Sequence, residues 1–220
     1  NFILFSPSGG NPNWLEFTGQ SKSLASLEEE IFDVALCSEY SILSSFEKLK
    51  AKRKYFYFLL QGHRMEKEVA TSSYILLGNS EGMSSRIEKK YKVPCFNAAG
   101  GVNPQIFHSV KREGSREKFR ILCYGRIYKK RKGVQYVIRT VEELYKKYPH
   151  LKLIFFDSLV GEDKKDSRPM IKTHVPHDFY LNLPQNQMAW LYSQADIFVS
   201  AERRSGWSNT SAEAMACMIP

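Results

Sequence analysis

Short apolar runs trade places with segments of helical period along nearly the whole chain, and few architectures accept that pattern. Residues 2–5, 32–37, 55–60 and 74–77 read as strands. Residues 21–30, 42–52 and 81–91 read as helices, and in the last of these Met83, Ile87 and Tyr91 recur every fourth position, on one helical face. A second series begins at residue 119. Strands are expected over 119–124, 151–156 and 196–200, and helices over 133–148, 185–194 and 209–217. The helix over 133–148 has the clearest stripe, built from Val134, Val137, Ile138, Val141, Leu144 and Tyr145. Alternating β and α segments lead to parallel sheets covered by helices, an α/β fold. No solenoid-type repeat and no low-complexity tract interrupts the pattern.

The pattern lapses between residues 93 and 118. That stretch holds Pro94, Gly100, Gly101 and Pro104, then a charged run over 111–118, the composition of a connection. The expected division is an abbreviated first domain over 1–104, a linker over 105–118 and a second domain over 119–220. The second domain is expected to carry only three strands and to be truncated. A three-stranded parallel sheet leaves a long edge open, so the chain is expected to continue beyond Pro220, with material also missing near its start.

Charge narrows the partners. Lys and Arg outnumber Asp and Glu by 32 to 23, a net charge of +9. An excess of that size suits an anion: nucleic acid, an acidic membrane surface or a phosphorylated small molecule. Basic residues gather over 48–54 and 129–132. The longest apolar runs fall far short of the ~18–20 residues of a spanning helix, and residues 1–7 lack the basic start of a secretion signal. Cys37, Cys95, Cys123 and Cys217 show no metal or redox spacing and read as reduced core residues of a cytoplasmic protein. His174 and His177 flank Pro176 in an expected loop, with no third ligand nearby in sequence to suggest zinc.

Two stretches carry chemistry. The first, Gly-Arg-Ile-Tyr-Lys-Lys-Arg-Lys-Gly over 125–133, lies between a strand and a helix, where α/β folds bind phosphates. Gly125 lets the backbone approach, the helix N-terminus offers free N–H groups, and Arg126 and Lys132 can pair with a diphosphate. The competing reading is a solvated basic loop. The second runs from Ser205 to Ala216, again strand, turn and helix. Gly206 permits a tight approach, and the N–H groups of Ser208, Asn209 and Thr210 could receive an anion. Glu213 could accept hydrogen bonds from vicinal hydroxyls such as a ribose presents; its bland alternative is a helix N-terminal charge favoured by the dipole. Glu202, beside Arg203 and Arg204, could equally be an ion-pair partner on the surface.

On these residues the chain resembles the GT-B retaining glycosyltransferases of family 4. Gly125, Arg126, Lys132 and Gly133 match the family's Gly-Arg…Lys-Gly loop, with one extra residue between Arg and Lys. Gly206, Glu213, Ala214, Met215 and Ala216 match its Glu-Gly-Phe-Gly…Glu-Ala-Met-Ala segment. Gly101-Val102-Asn103…Phe107 resembles its interdomain linker, and Asn79-Ser80 its strand-end serine. The resemblance implies two Rossmann-like domains and transfer, with retention, of a hexose-type sugar from a UDP- or GDP-type donor to a glycan or glycolipid acceptor. It implies that Arg126 and Lys132 stabilise the leaving diphosphate, that Glu213 holds the ribose, and that the turn from Gly206 through Trp207 to Thr210 contacts sugar and phosphate. His63, after a first-domain strand, would bond sugar or acceptor, and Gly9 and Gly10 would form an acceptor-side loop. No metal, no other cofactor and no nucleic acid partner is implied, and no Asp-x-Asp motif is present. The place implied is the cytoplasm, at the inner membrane face, where +9 suits anionic lipid. One departure stands out: Ser205 occupies the position of the family's first glutamate. Glu202 could reach back in its stead. Alternatively, the protein is a catalytically impaired GT-B-like binder of nucleotide sugars.

Overall fold

The computed structural model describes residues 3–11, 17–26, 31–112, 117–159, 165–203 and 206–220. They form two compact units, Asn1–Gly100 with Ser205–Trp207, and Gly101–Arg204 with Ser208–Pro220.

The first unit opens with β1 (Ile3–Ser6) and β2 (Gln20–Ser23), a parallel pair in a sheet of its own. The helix expected over 21–30 is not formed where it can be described: Gln20–Ser23 is strand and Leu24–Ser26 a 3-10 turn, while 27–30 lie outside the described residues. The Ser side chains here bond locally to backbone instead, Ser26 Oγ to Ser23 O at 2.7 Å, which competes with helix. Next come β3 (Ile31–Cys37), α1 (Leu43–Lys48), β4 (Lys50–Phe58), α2 (Glu66–Ala70), β5 (Ile75–Gly78), α3 (Glu81–Tyr91) and β6 (Phe96–Asn97). Their sheet has the order β3-β4-β5-β6, every pair parallel. The helix expected over 42–52 is cut short by β4. Leu49 turns extended, and the ammonium group of Lys54 takes the last-turn carbonyls of Phe46 and Glu47 at 2.9 and 2.7 Å. That satisfies acceptors a helix end leaves open. Helix α3 is capped at both ends. Ser80 Oγ accepts from Met83 N at 3.1 Å, and Lys92 takes the left-handed conformation, the former device stabilising by ~0.5–2 kcal/mol.

The second unit holds β7 (Phe119–Tyr124), α4 (Val134–Tyr145), β8 (Leu151–Asp157), β9 (His177–Leu181), α5 (Met188–Ser193), β10 (Ile197–Phe198) and α6 (Asn209–Ala216). The sheet order is β10-β7-β8-β9, again all parallel. It has four strands rather than the expected three. His177 lies in β9, not in a loop, and its Nδ1 is 3.1 Å from Val175 O.

Side chains alternate across this sheet, as strand geometry requires. Ile121, Cys123, Leu153 and Phe155 pack with Val134, Val137, Ile138 and Val141 of α4. Leu122, Ile154 and Phe156 pack with Leu191 and Tyr192 of α5 and Ala214 of α6. Both faces are therefore cored, and each buried α4 side chain contributes ~1.5–3 kcal/mol. All four cysteines are buried and unpaired. Among the described residues no helix is long and apolar enough to cross a membrane.

Candidate functional site

The second unit brings the carboxyl ends of β7, β8 and β10 side by side, and the basic loop leaves from the first of them. Residue 124 ends β7, and Gly125 N donates to Phe156 O on β8 at 2.7 Å. A Cβ on Gly125 would stand 2.8 Å from the Phe179 ring, so a larger residue would push the loop off the sheet. The chain then makes a 3-10 turn over Lys130–Lys132 and reaches Gly133 at φ +68°, the left-handed region. A Cβ on Gly133 would run into the carbonyl oxygen of Ala201. Gly133 thus seats the basic loop against the segment that follows β10. Arg203 N donates to Arg131 O at 2.7 Å and joins the same two segments again.

Three cations meet at this junction. Arg126 lies with its guanidinium carbon 5.3 Å from the centre of the Tyr124 ring, and Lys132 Nζ lies 4.8 Å from that centre. The ring attracts both charges through its quadrupole. Arg126 is held from behind. Its Nε donates to Asp157 Oδ1 at 2.9 Å and its Nη2 to Ser158 O at 2.5 Å. Asp157 is buried and also accepts from Ser158 N at 2.7 Å and Ser167 Oγ at 3.1 Å. Lys132 Nζ and Arg131 Nη1 both donate to Glu202 Oε1, at 2.7 and 2.5 Å. Burial pulls the Lys132 ammonium below the usual lysine range, and Glu202 beside it pulls the other way. A small cavity of about 10 Å³ lies here, lined by Tyr124, Lys132, Ser200, Glu202 and Thr210 among others.

Helix α6 supplies the opposite charge. Ser208 Oγ accepts from Ser211 N at 3.4 Å as its N-cap. Glu213 Oε2 accepts from the Tyr192 hydroxyl at 2.8 Å, and that hydroxyl also lies 3.2 Å from Thr210 O. Burial raises the Glu213 carboxyl above the ordinary range, and the Tyr192 hydroxyl partly offsets it. Tyr192 is fully buried and so fixes where Glu213 sits.

Of the sequence-expected residues, Gly125, Arg126, Lys132, Glu202, Ser208, Asn209, Thr210 and Glu213 belong to the second unit. Lys132, Glu202 and Thr210 share one pocket. Gly206 and Trp207 group with the first unit, as do His63, Gly9 and Gly10. Ser205 lies outside the described residues. His63 is exposed in the turn before α2, its ring stacked on Tyr40 at 3.9 Å between centroids. Its Nδ1 accepts from Met65 N at 3.2 Å, which leaves Nε2 to carry the proton of the neutral ring. Gly9 adopts φ +71° in the turn after β1, where its N donates to Ser6 O at 3.2 Å, and Gly10 beside it is exposed. Tyr124, Asp157 and Tyr192 were not expected. The available signal was position: Tyr124 and Asp157 end apolar strands, where this class of fold places ligand-binding groups. Among the described residues no group of three His, Cys, Asp or Glu side chains is placed to hold a metal ion.

Comparison with known proteins falls on the same unit. Residues 118–220 match the family model described as Glycosyl transferases group 1. No curated protein matches the chain. Solved structures do. TarM of S. aureus, in complex with fondaparinux, alpha-GlcNAc-glycerol and UDP, superposes with a TM-score of 0.67 at 16% identity, over 85% of this chain and 40% of that one. Sucrose-phosphate synthase from Thermosynechococcus elongatus gives 0.70 at 13% identity, over 86% and 55%. The alpha,alpha-trehalose 6-phosphate synthase of Burkholderia multivorans gives 0.62 at 10%, over 84% and 54%. The fold is the α/β fold of GT-B glycosyltransferases. The chain spans about 40% to 55% of the length of these structures.

Proposed function

We propose that the protein transfers a sugar from a nucleoside diphosphate donor of UDP or GDP type to a hydroxyl of a glycan or glycolipid, with retention at the anomeric carbon. The observation that carries this reading is the gathering of Arg126 and Lys132 on the Tyr124 ring at the strand ends, in the segment that matches glycosyl transferases group 1. The bond from the anomeric carbon to the diphosphate breaks, the acceptor oxygen bonds that carbon, and the acceptor proton leaves with the departing phosphate. Negative charge grows on the leaving diphosphate. Preplaced cations in a partly desolvated site stabilise such charge at little reorganisation cost. Glu213 faces the donor ribose in this scheme, with Tyr192 keeping its carboxylate in place. Protein cations do this neutralising, so the reading assigns no metal. The UDP in the TarM complex supports a nucleotide partner. The exposed Lys50, Lys52 and Arg53 on β4 support contact with an anionic membrane at the cytoplasmic face.

One observation favours the binding-only reading. Glu202, the carboxylate nearest to Ser205 in sequence, has one oxygen committed to Lys132 and Arg131. Incubating the full-length protein with UDP- and GDP-hexoses and glycan acceptors separates the two. Release of nucleoside diphosphate with a glycoside of unchanged anomeric configuration is expected. Binding without release, across acceptors, would leave only the binding function.

A further inference from the structure

Lys132 and Arg131 share a single acceptor, Glu202 Oε1, and Glu202 Oε2 makes no hydrogen bond among the described residues. This is not a loose surface pair. The side chains of Glu202 and Lys132 are 10% and 16% exposed, and backbone contacts fix their two segments to each other. Gly133 abuts Ala201, the residue before Glu202, and Arg203 N, the residue after it, donates to Arg131 O. A carboxylate held this way, between two cations and at the lining of a pocket, stands where an anionic ligand of those cations would stand. The remaining cation, Arg126, has its own carboxylate in Asp157. The three cations of the site thus already face two carboxylates, Glu202 shared by Lys132 and Arg131 and Asp157 held by Arg126.

We propose that Glu202 is a resident anion of the phosphate subsite, one that holds Lys132 and Arg131 until a diphosphate displaces it and so selects against singly charged ligands. The proposal rests on the donor-site reading above. A monoanion exchanging with Glu202 trades one negative charge for another and gains little. A diphosphate brings at least two charges and several acceptor oxygens, enough to take both cations together. Residues 199–203, which carry Glu202, lie in no helix or strand, so the carboxylate can swing aside without breaking one. Removing the carboxylate deletes both a competitor and a repelling charge.

The test is calorimetric titration of the full-length protein and its Glu202→Gln variant with inorganic pyrophosphate, UDP and GDP. Thermal unfolding checks each variant, and Glu202→Ser serves if Glu202→Gln does not fold. The variant is expected to bind pyrophosphate and the accepted nucleotide roughly tenfold more tightly, about 1.4 kcal/mol, and acetate is expected to become a competitor. Equal or weaker pyrophosphate binding by a folded variant, when the parent binds it, overturns the gate and leaves the donor site standing. If neither protein binds any of the three ligands, the donor-site reading fails and the gate falls with it.

Discussion

At the scale of single residues, buried carboxylates set the terms in both units. Glu66 is the strongest case. Its carboxylate is 1% exposed and accepts from Arg86 Nη1 and Nη2 at 2.9 and 2.7 Å, Lys90 Nζ at 3.1 Å, Tyr91 Oη at 2.6 Å and Gly62 N at 2.7 Å. Burial alone would raise its pKa. The donors, Arg86 and Tyr91 first, outweigh burial and lower it from 4.5 to about 2. A carboxyl depressed in the folded state stabilises above its unfolded pKa and loses that contribution as pH falls through the folded value. The window here runs from about pH 4.5 down to about pH 2, and the contribution is of order 3 kcal/mol. Glu66→Gln is expected to lose about that much at pH 7, by urea unfolding, and to flatten the acid limb of stability. An acid limb parallel to the parent's would contradict the assignment. The same side chain fixes the turn that presents His63, because Glu66 Oε2 accepts from Gly62 N at 2.7 Å, and the Glu66 backbone N donates to His63 O at 3.0 Å.

At the scale of elements, one glycine joins the basic loop to the segment that follows β10. Gly133→Ala must hold a Cβ at φ +68° against the Ala201 backbone. It is expected to cost about 2 kcal/mol or more and to lower the Tm, whereas Gly101→Ala, where nothing lies within 4 Å of the added carbon, is expected to stay within about 0.5 kcal/mol. Equal Tm values for the two variants would show that the loop has another seat. The elements also show what could be read from the chain. Helix α3 and strand β7 were legible to the residue, because Ser80 caps the one and apolar side chains fill the other. Strand β9 was not. Its His-Asp-Phe-Tyr-Leu offers little alternation, and it is strand because its backbone pairs with β8 from His177↔Leu153 to Leu181↔Asp157. The first half of β4, Lys-Ala-Lys-Arg-Lys, reads as a polar helix end. Pairing with β3, from Ile31↔Lys50 onward, overrides that local preference. For the site, the glycine loop was legible because its chemistry sits in consecutive residues. Asp157 lies 31 positions from the Arg126 it holds and Tyr192 lies 21 from Glu213, distances only the topology closes.

At the scale of the molecule, two four-stranded parallel sheets stand in two compact units, and the second unit carries every cation assigned to the donor. It is also the unit that matches glycosyl transferases group 1 over residues 118–220. The net charge of +9 attracts anions wherever it is exposed, so general attraction must be told apart from a built site. Calorimetric titration of the full-length protein with UDP and GDP does this directly, repeated for Lys132→Ala, Glu213→Ala and Lys48→Ala. One nucleotide is expected to bind the parent and Lys48→Ala alike, and to bind Lys132→Ala and Glu213→Ala at least tenfold more weakly. Equal losses from Lys48→Ala and Lys132→Ala, or no binding to a folded parent, would contradict the assignment of the donor site to the second unit.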